Sequence, residues 1–298
     1  MKSKRSNIIQ LIILLVCVIG FLGCVAWMFF YYIGNLQTQQ EMEELKENYV
    51  VAEPVIATPA PTAAPSPEPA ATPEPSPEPD RVVIEGKEYP DLAGLEVPER
   101  TIDFAGLQEE NEHIYAWIYI PNTNIDYPVL QHPDNADYYL THDTKGNKVT
   151  AGSIFTQYYN EKDFNDNNTV IYGHNMKNGS MFKTLHYFED RQFFEENPYI
   201  YIYTENQTRV YEIFGAYEYS DVHLLLSYNM ENDKAFGKYL KDLTSLDGSK
   251  DNFNWDIEVT SADKVITLST CISGKANSRY LVQAKLIAAE EVNKDSLE

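Results

Sequence analysis

A single thiol stands in the strand-like run VITLSTCISGKANSRYLV, residues 265–282. Cys271 lies two residues after Ser269 and eight before Arg279. Period-two alternation puts Val265, Thr267, Ser269 and Cys271 on one face, and Ile266, Leu268 and Thr270 on the other. The thiol therefore shares its face with two hydroxyls. In SRYLVQAKL the same alternation groups Arg279, Leu281, Gln283 and Lys285. If the two runs pair through ISGKANS, Arg279 lies beside Cys271 on the adjacent strand. A guanidinium there favours the thiolate. It can also stabilise the oxyanion formed when a thiolate attacks a carbonyl. The competing reading is a small buried residue, the usual place of a free cysteine.

A cysteine nucleophile needs a proton partner, and the chain has six histidines. His174 has the most suggestive setting, because NTVIYGHNM ends an apolar run with Gly173 and so places an imidazole at a strand end. His132 in LQHPDN and His142 in LTHDT sit in polar loops and are weaker candidates. The other cysteines, Cys17 and Cys24, lie inside an apolar N-terminal run. One remaining thiol makes no intramolecular disulfide and builds no zinc site without histidine or carboxylate help. No metal and no cofactor is expected.

The elements that must position these residues are mostly strands. Short runs rich in Val, Ile, Tyr and Thr recur between Gly, Asn, Asp and Pro. They include NIDYPVLQ, GSIFTQ, TVIYGH, YIYIYT, RVYEIFGAYEY, WDIEVT, KVITLSTC and RYLVQAKLIAA. TIDFAGLQEENEHIYAWIYI begins as a helix with Phe104, Leu107 and Gln108 on one face, and it ends in a strand over 115–120. A second helix is expected within 231–246, where Ala235, Phe236, Tyr239, Leu240 and Leu243 follow helical spacing. Many short strands with few helices predict a closed or nearly closed β-barrel. No internal repeat is present.

Upstream of this body the composition changes. Lys2, Lys4 and Arg5 precede a stretch without charge from residue 6 to 35. About 20 apolar residues span a bilayer as a helix, and the basic flank predicts a cytoplasmic N-terminus with an exported body. A cleaved signal peptide has a shorter apolar core. FLGC at 21–24 faintly resembles a lipoprotein box, but apolar residues continue past Cys24. The reading is therefore a cytoplasmic tail over 1–7, an uncleaved span over 8–33, a helical and Pro-rich stalk over 34–80, and a globular domain over 81–298. Its Pro-rich run, EPVIATPAPTAAPSPEPAATPEPSPEPD, holds ten of the sixteen prolines and would reach roughly 80 Å as extended polyproline-type chain. Acidic residues outnumber basic ones, 45 to 23, for a formal charge of −22. That excludes nucleic-acid binding, which needs clustered Lys and Arg.

TLSTC at 267–271, an arginine on the next strand, NTVIYGHNMKNGSMF at 168–182, WIYIPNTNIDYPVLQ at 117–131 and GSIF at 152–155 together resemble the class B sortases, in the same order. The resemblance implies an eight-stranded barrel with an N-terminal helix, and an inserted helix before the cysteine strand. It also implies a membrane-anchored cysteine transpeptidase of Gram-positive bacteria. In that reading Cys271 attacks the threonine carbonyl of a C-terminal sorting motif on a secreted protein and forms a thioester. His174 protonates the leaving amine and then helps deprotonate the incoming one. Arg279 holds the oxyanion or positions substrate, and Ser269 and Thr270 contact substrate. The acceptor is an amine of peptidoglycan or its lipid-linked precursor. The chain departs from the class B pattern after GSIF, with Thr156 and Gln157 where an acidic residue often stands.

Two rivals fit less well. An L,D-transpeptidase resembles Ser-x-Gly-Cys-x-Arg, whereas STCISGKANSR lacks both the glycine before Cys271 and the nearby arginine. A non-enzymatic stalked binding head leaves the pairing of YGH with TLSTC unexplained.

Overall fold

Residues 2–52, 81–246 and 248–292 are described in a computed structural model. The first element, α1 (Lys2–Tyr49), is one continuous helix. Over its N-terminal part it is long and apolar enough to cross a membrane, and the side chains from Leu11 to Tyr32 lie exposed. Its C-terminal part behaves differently. Thr38, Glu41, Met42 and Leu45 are buried, at the three-to-four-residue spacing that makes one helix face. The Thr144 hydroxyl donates to the Glu41 carboxylate, and Lys46 Nζ lies 2.7 Å from Asp126. Asp126 is a hub, because Arg100 donates to both its oxygens and Trp117 Nε1 donates at 2.7 Å.

The chain continues into β1 (Val50–Ala52). After the Pro-rich run come the hairpin strands β2 (Arg81–Ile84) and β3 (Lys87–Pro90), then β4 (Arg100–Ile102). β4 pairs antiparallel with β1. The helical half of 34–80, expected as a short helix continuing away from the membrane, thus lies against the body. Its polar sequence hides a face that the body buries. The Pro-rich half, expected to be an extended spacer, lies outside the described residues.

Helix α2 (Phe104–Glu110) starts where the Asp103 carboxylate accepts from the Gly106 amide at 2.9 Å, a side-chain N-cap. It buries Phe104 and Leu107. Then follow β5 (Ile114–Tyr119), β6 (Asp126–Leu130), β7 (Ile154–Thr156) and β8 (Asn168–Tyr172). After α3 (Arg191–Glu196) come β9 (Tyr199–Thr204) and β10 (Gln207–Ser220). Helices α4 (Leu224–Ser227) and α5 (Asp233–Leu243), the short β11 (Asn252–Phe253), β12 (Val265–Ile272) and β13 (Lys275–Glu291) complete the body.

The strands close into a ring, β5–β6–β7–β8–β12–β13–β10–β9 and back to β5. This is the expected eight-stranded barrel, with β11 as an appendage on β10. Closure depends on β10, which pairs with both β13 and β9 and bends at register slips near Val210 and Gly215. Such bulges add twist and bend a strand without ending it.

Ile266, Leu268, Tyr280, Val282 and Ala284 belong to the barrel's main core. The opposite face of β12 and β13 is covered by the inserted helix, as Phe236, Tyr239, Leu240 and Leu243 of α5 pack with Val265, Leu281 and Tyr217. Under this cover the Thr267 hydroxyl donates to Asn168 at 2.7 Å. Gln283 donates to Thr267 at 2.7 Å and accepts from Tyr217 at 2.6 Å. One of the two hydroxyls on the Cys271 face is therefore structural. WDIEVT, expected as a strand, is irregular. Its Ile257 and Val259 pack onto the outer core without joining a ladder.

Candidate active site

Three adjacent strands end together around Cys271. β8 and β12 run parallel with Tyr172 level with Ser269. One step further, the Gly173 amide donates to the Ser269 carbonyl at 3.2 Å. The Thr270 hydroxyl donates to the Gly173 carbonyl at 2.8 Å. His174 therefore leaves β8 beside the end of β12, where Cys271 is exposed. On the other side, β13 places Arg279 directly opposite Cys271. Directly opposed residues share a face, with Cβ atoms about 4.5–5.5 Å apart. The half-buried Arg279 folds its guanidinium along its own strand, with Nη1 donating to the carbonyls of Ala276 at 3.1 Å and Ser278 at 3.0 Å.

Two glycines set the approach of His174. A Cβ on Gly173 would lie 2.6 Å from Ile154 Cδ1 and 2.6 Å from Phe182 Cγ, so only glycine lets these layers close. Gly152 has φ of +56°, and its Cβ would meet the carbonyl oxygens of Tyr139 at 2.5 Å and Leu140 at 2.7 Å. The segment packed there presents the Leu140 carbonyl, which takes a bond from His174 Nε2 at 2.8 Å. A carbonyl only accepts, so Nε2 carries the proton of this bond. Nδ1 is then the nitrogen left for proton exchange.

Sequence reasoning placed Cys271, His174 and Arg279 together, and the strand register brings all three to one edge. Ser269 lies on the Cys271 face but is 7 % exposed, a floor behind the thiol. Thr270, expected to contact substrate, is placed on the other side of the strand. It is 2 % exposed, points to the opposite face, and spends its hydroxyl on Gly173. Its structural contribution is to hold the turn that carries His174. The weaker candidates His132 and His142 flank Tyr138, with ring centroids 4.5 and 4.0 Å away.

Two neighbours went unnoticed in the sequence. Asn175 Nδ2 donates to the Cys271 carbonyl at 2.7 Å, and His186 Nε2 lies 3.1 Å from the same oxygen. Asn175 was adjacent to His174 in the GHNM motif, whereas nothing in FKTLHYFE marked His186.

The pattern of the sortase family, described as the sortase domain, matches residues 118–287, more than half of the chain. The barrel and the matched pattern define the class: this chain belongs to the sortase family, whose members are cysteine transpeptidases. Sortase B of Listeria monocytogenes serovar 1/2a (strain ATCC BAA-679 / EGD-e) is 38% identical over 184 residues, covering 61% of this chain and 72% of that protein. Sortase B of Staphylococcus aureus (strain NCTC 8325 / PS 47) is 31% identical over 186 residues, covering 62% and 74%. The X-ray structure of Clostridium perfringens sortase B has a TM-score of 0.55 at 34% identity, covering 62% of this chain and 100% of that one. A Staphylococcus aureus sortase B–substrate complex has a TM-score of 0.53 at 30% identity, covering 62% and 84%. These similarities place the chain in class B.

Proposed function

We propose that this sortase is held in the membrane by the apolar part of α1, with its N-terminus cytoplasmic and its barrel outside. The tail 1–7, the span 8–33 and a catalytic domain downstream of the Pro-rich run complete that organisation. In this reading Cys271 Sγ attacks the threonine carbonyl of a C-terminal sorting motif on a secreted protein. A carbon–sulfur bond forms, the peptide carbon–nitrogen bond breaks, and His174 gives its proton to the leaving amine. A peptidoglycan amine, free or on the lipid-linked precursor, then attacks the thioester. It gives its proton to His174 and expels the thiolate. Arg279 steadies the oxyanion in both halves. The relatives' solved substrate complex supports substrate handling by this fold, and Lys2, Lys4 and Arg5 before the apolar run support the orientation.

The observation that carries this reading is the register. Cys271 faces Arg279 across one ladder and adjoins the His174 segment across the other. The test uses the full-length chain in detergent with fluorogenic peptides carrying candidate sorting motifs, with and without an acceptor amine. Turnover that increases with the amine and disappears in Cys271→Ala is expected. Turnover that survives the substitution refutes the nucleophile, and silence toward every motif favours a binding head.

A further inference from the structure

The main-chain carbonyl of Cys271 is held by side chains where a strand partner would be. Carbonyls two residues apart on a strand point the same way, so this one points, like that of Ser269, toward the chain following β8. There Ser269 receives the Gly173 amide. The next donor in the ladder would be the Asn175 amide, but Asn175 has turned away to bridge Met181. Its side chain substitutes, with Nδ2 at 2.7 Å from the Cys271 oxygen. The same Nδ2 lies 2.9 Å from His186 Nε2. On the far side of that ring, Nδ1 lies 2.7 Å from Glu189 Oε1.

His186 Nε2 also lies 3.1 Å from the Cys271 oxygen, and the neutral ring has a proton arrangement that serves Glu189, Asn175 and Cys271 together. His186 Nδ1–H donates to the Glu189 carboxylate, and Nε2 accepts one Asn175 N–H. The other Asn175 N–H goes to the Cys271 carbonyl. The opposite neutral tautomer sets an Nδ1 lone pair against a carboxylate. Burial works to raise the Glu189 carboxyl, but the bonds from Lys250 and His186 outweigh it and hold the group below its usual range. Glu189 therefore stays ionised at neutral pH. The His186 ring is also stacked on the buried Tyr280, with centroids 5.1 Å apart. Tyr280 adjoins Arg279 in β13 and sits opposite Thr270.

We propose that Glu189, His186 and Asn175 form a positioning relay that fixes the main chain of Cys271 against the His174 segment. Asn175 follows His174 directly, so its bond to Cys271 ties the base and the nucleophile together at the frayed end of two strands. His186 sets the plane of the Asn175 amide, and Glu189 sets the tautomer of His186. These are positioning residues, since their contacts are to the main chain and to each other. The proposal rests on the reading of Cys271 as nucleophile.

The test compares full-length wild type with Asn175→Ala, His186→Ala, His186→Gln and the double alanine variant. Misplacing a reacting group by 1 Å costs up to roughly a hundredfold, and a loosened one is expected to cost about tenfold. Each single alanine variant should lower kcat about tenfold with KM within about twofold. The double variant should be no slower than Asn175→Ala, because the groups act in series. His186→Gln, whose side-chain oxygen can accept from Asn175, should recover most of the lost kcat. Hydrogen exchange of the 270–274 amides should quicken about tenfold in both alanine variants, a readout that needs no turnover. Unchanged kcat and exchange in His186→Ala overturn the relay, as do multiplicative losses in the double variant or no rescue by glutamine. If His186→Ala does not fold, Asn175→Ala and His186→Gln carry the same comparison. Failure of wild type to turn over any peptide removes the transferase reading, and the exchange measurement still decides the relay.

Discussion

Gly173→Ala adds one methyl group beside the proposed base. The new Cβ would stand 2.6 Å from Ile154 Cδ1, 2.6 Å from Phe182 Cγ and 2.7 Å from Phe182 Cδ2. Carbon atoms settle at about 3.5–4.0 Å, so something must move by about 0.9 Å or more. Ile154 and Phe182 are both buried, at 1 % and 0 % exposure, and have little room to retreat. Phe182 is also tied to the site, its amide donating to the His174 carbonyl at 2.9 Å. A displacement of Phe182 therefore drags His174 with it, and a displacement of Gly173 moves His174 directly. Overpacking of this kind costs about 1–3 kcal/mol, worth roughly 2–4 °C of Tm per kcal/mol in a body this size. The same shift is expected to lower kcat by up to about a hundredfold, while KM changes far less. Steady-state turnover and a thermal melt on one preparation measure both. A lowered Tm with kcat within about threefold of wild type would refute the claim that this packing positions His174.

Three further outcomes follow from other parts of the molecule. Arg279→Ala is expected to lower kcat by roughly 10²–10³. Arg279→Lys should rescue little of it, because a point charge lacks the guanidinium fork. Phe236→Ala removes a fully buried ring from the α5 cover and should destabilise by about 3–5 kcal/mol in urea or thermal unfolding. Asp263 governs an acid-dependent clamp. Burial works to raise its carboxyl, but bonds from Lys87 and Thr260, with the charge of Lys285, hold it below the usual range. A carboxylate lowered on folding stabilises fully above its unfolded value of about 3.9. That contribution is lost as pH falls through the lower folded value. Asp263→Asn should therefore be less stable at neutral pH, and the difference from wild type should shrink below about pH 4. An equal deficit at pH 7 and pH 2.5 contradicts the clamp.

The edge that carries the candidate site was legible because it depends on local rules. Alternation put Cys271 on the outward face of β12. The short connection, turning at Gly274 with φ of +81°, brings β13 straight back so that Arg279 meets it. The same alternation already turned Thr270 away from the thiol, in line with its buried hydroxyl. Docking of α1 was not legible, since its buried stripe is Thr38, Glu41, Met42 and Leu45. Two of those four are polar, and hydrophobic periodicity passes over them. The Glu41 carboxylate is held by Thr144, distant in sequence, while the Thr38 hydroxyl bonds back to the Gly34 carbonyl of its own helix. The Glu189–His186–Asn175 relay was equally hidden, because it forms only when β8 turns away from β12. Barrel closure required the bends in β10, whose sequence reads as one uninterrupted strand.

Nucleophilic attack by Cys271 passes through a covalent acyl-enzyme. Intact-mass spectrometry of the full-length chain, mixed with a sorting-motif peptide in the absence of acceptor amine, tests it most directly. An adduct equal to the peptide's N-terminal fragment through threonine, less water, is expected. It should map to Cys271, be released by hydroxylamine, and be absent in Cys271→Ala. Peptide cleavage with no adduct under rapid quench, or an adduct that persists in Cys271→Ala, would contradict it.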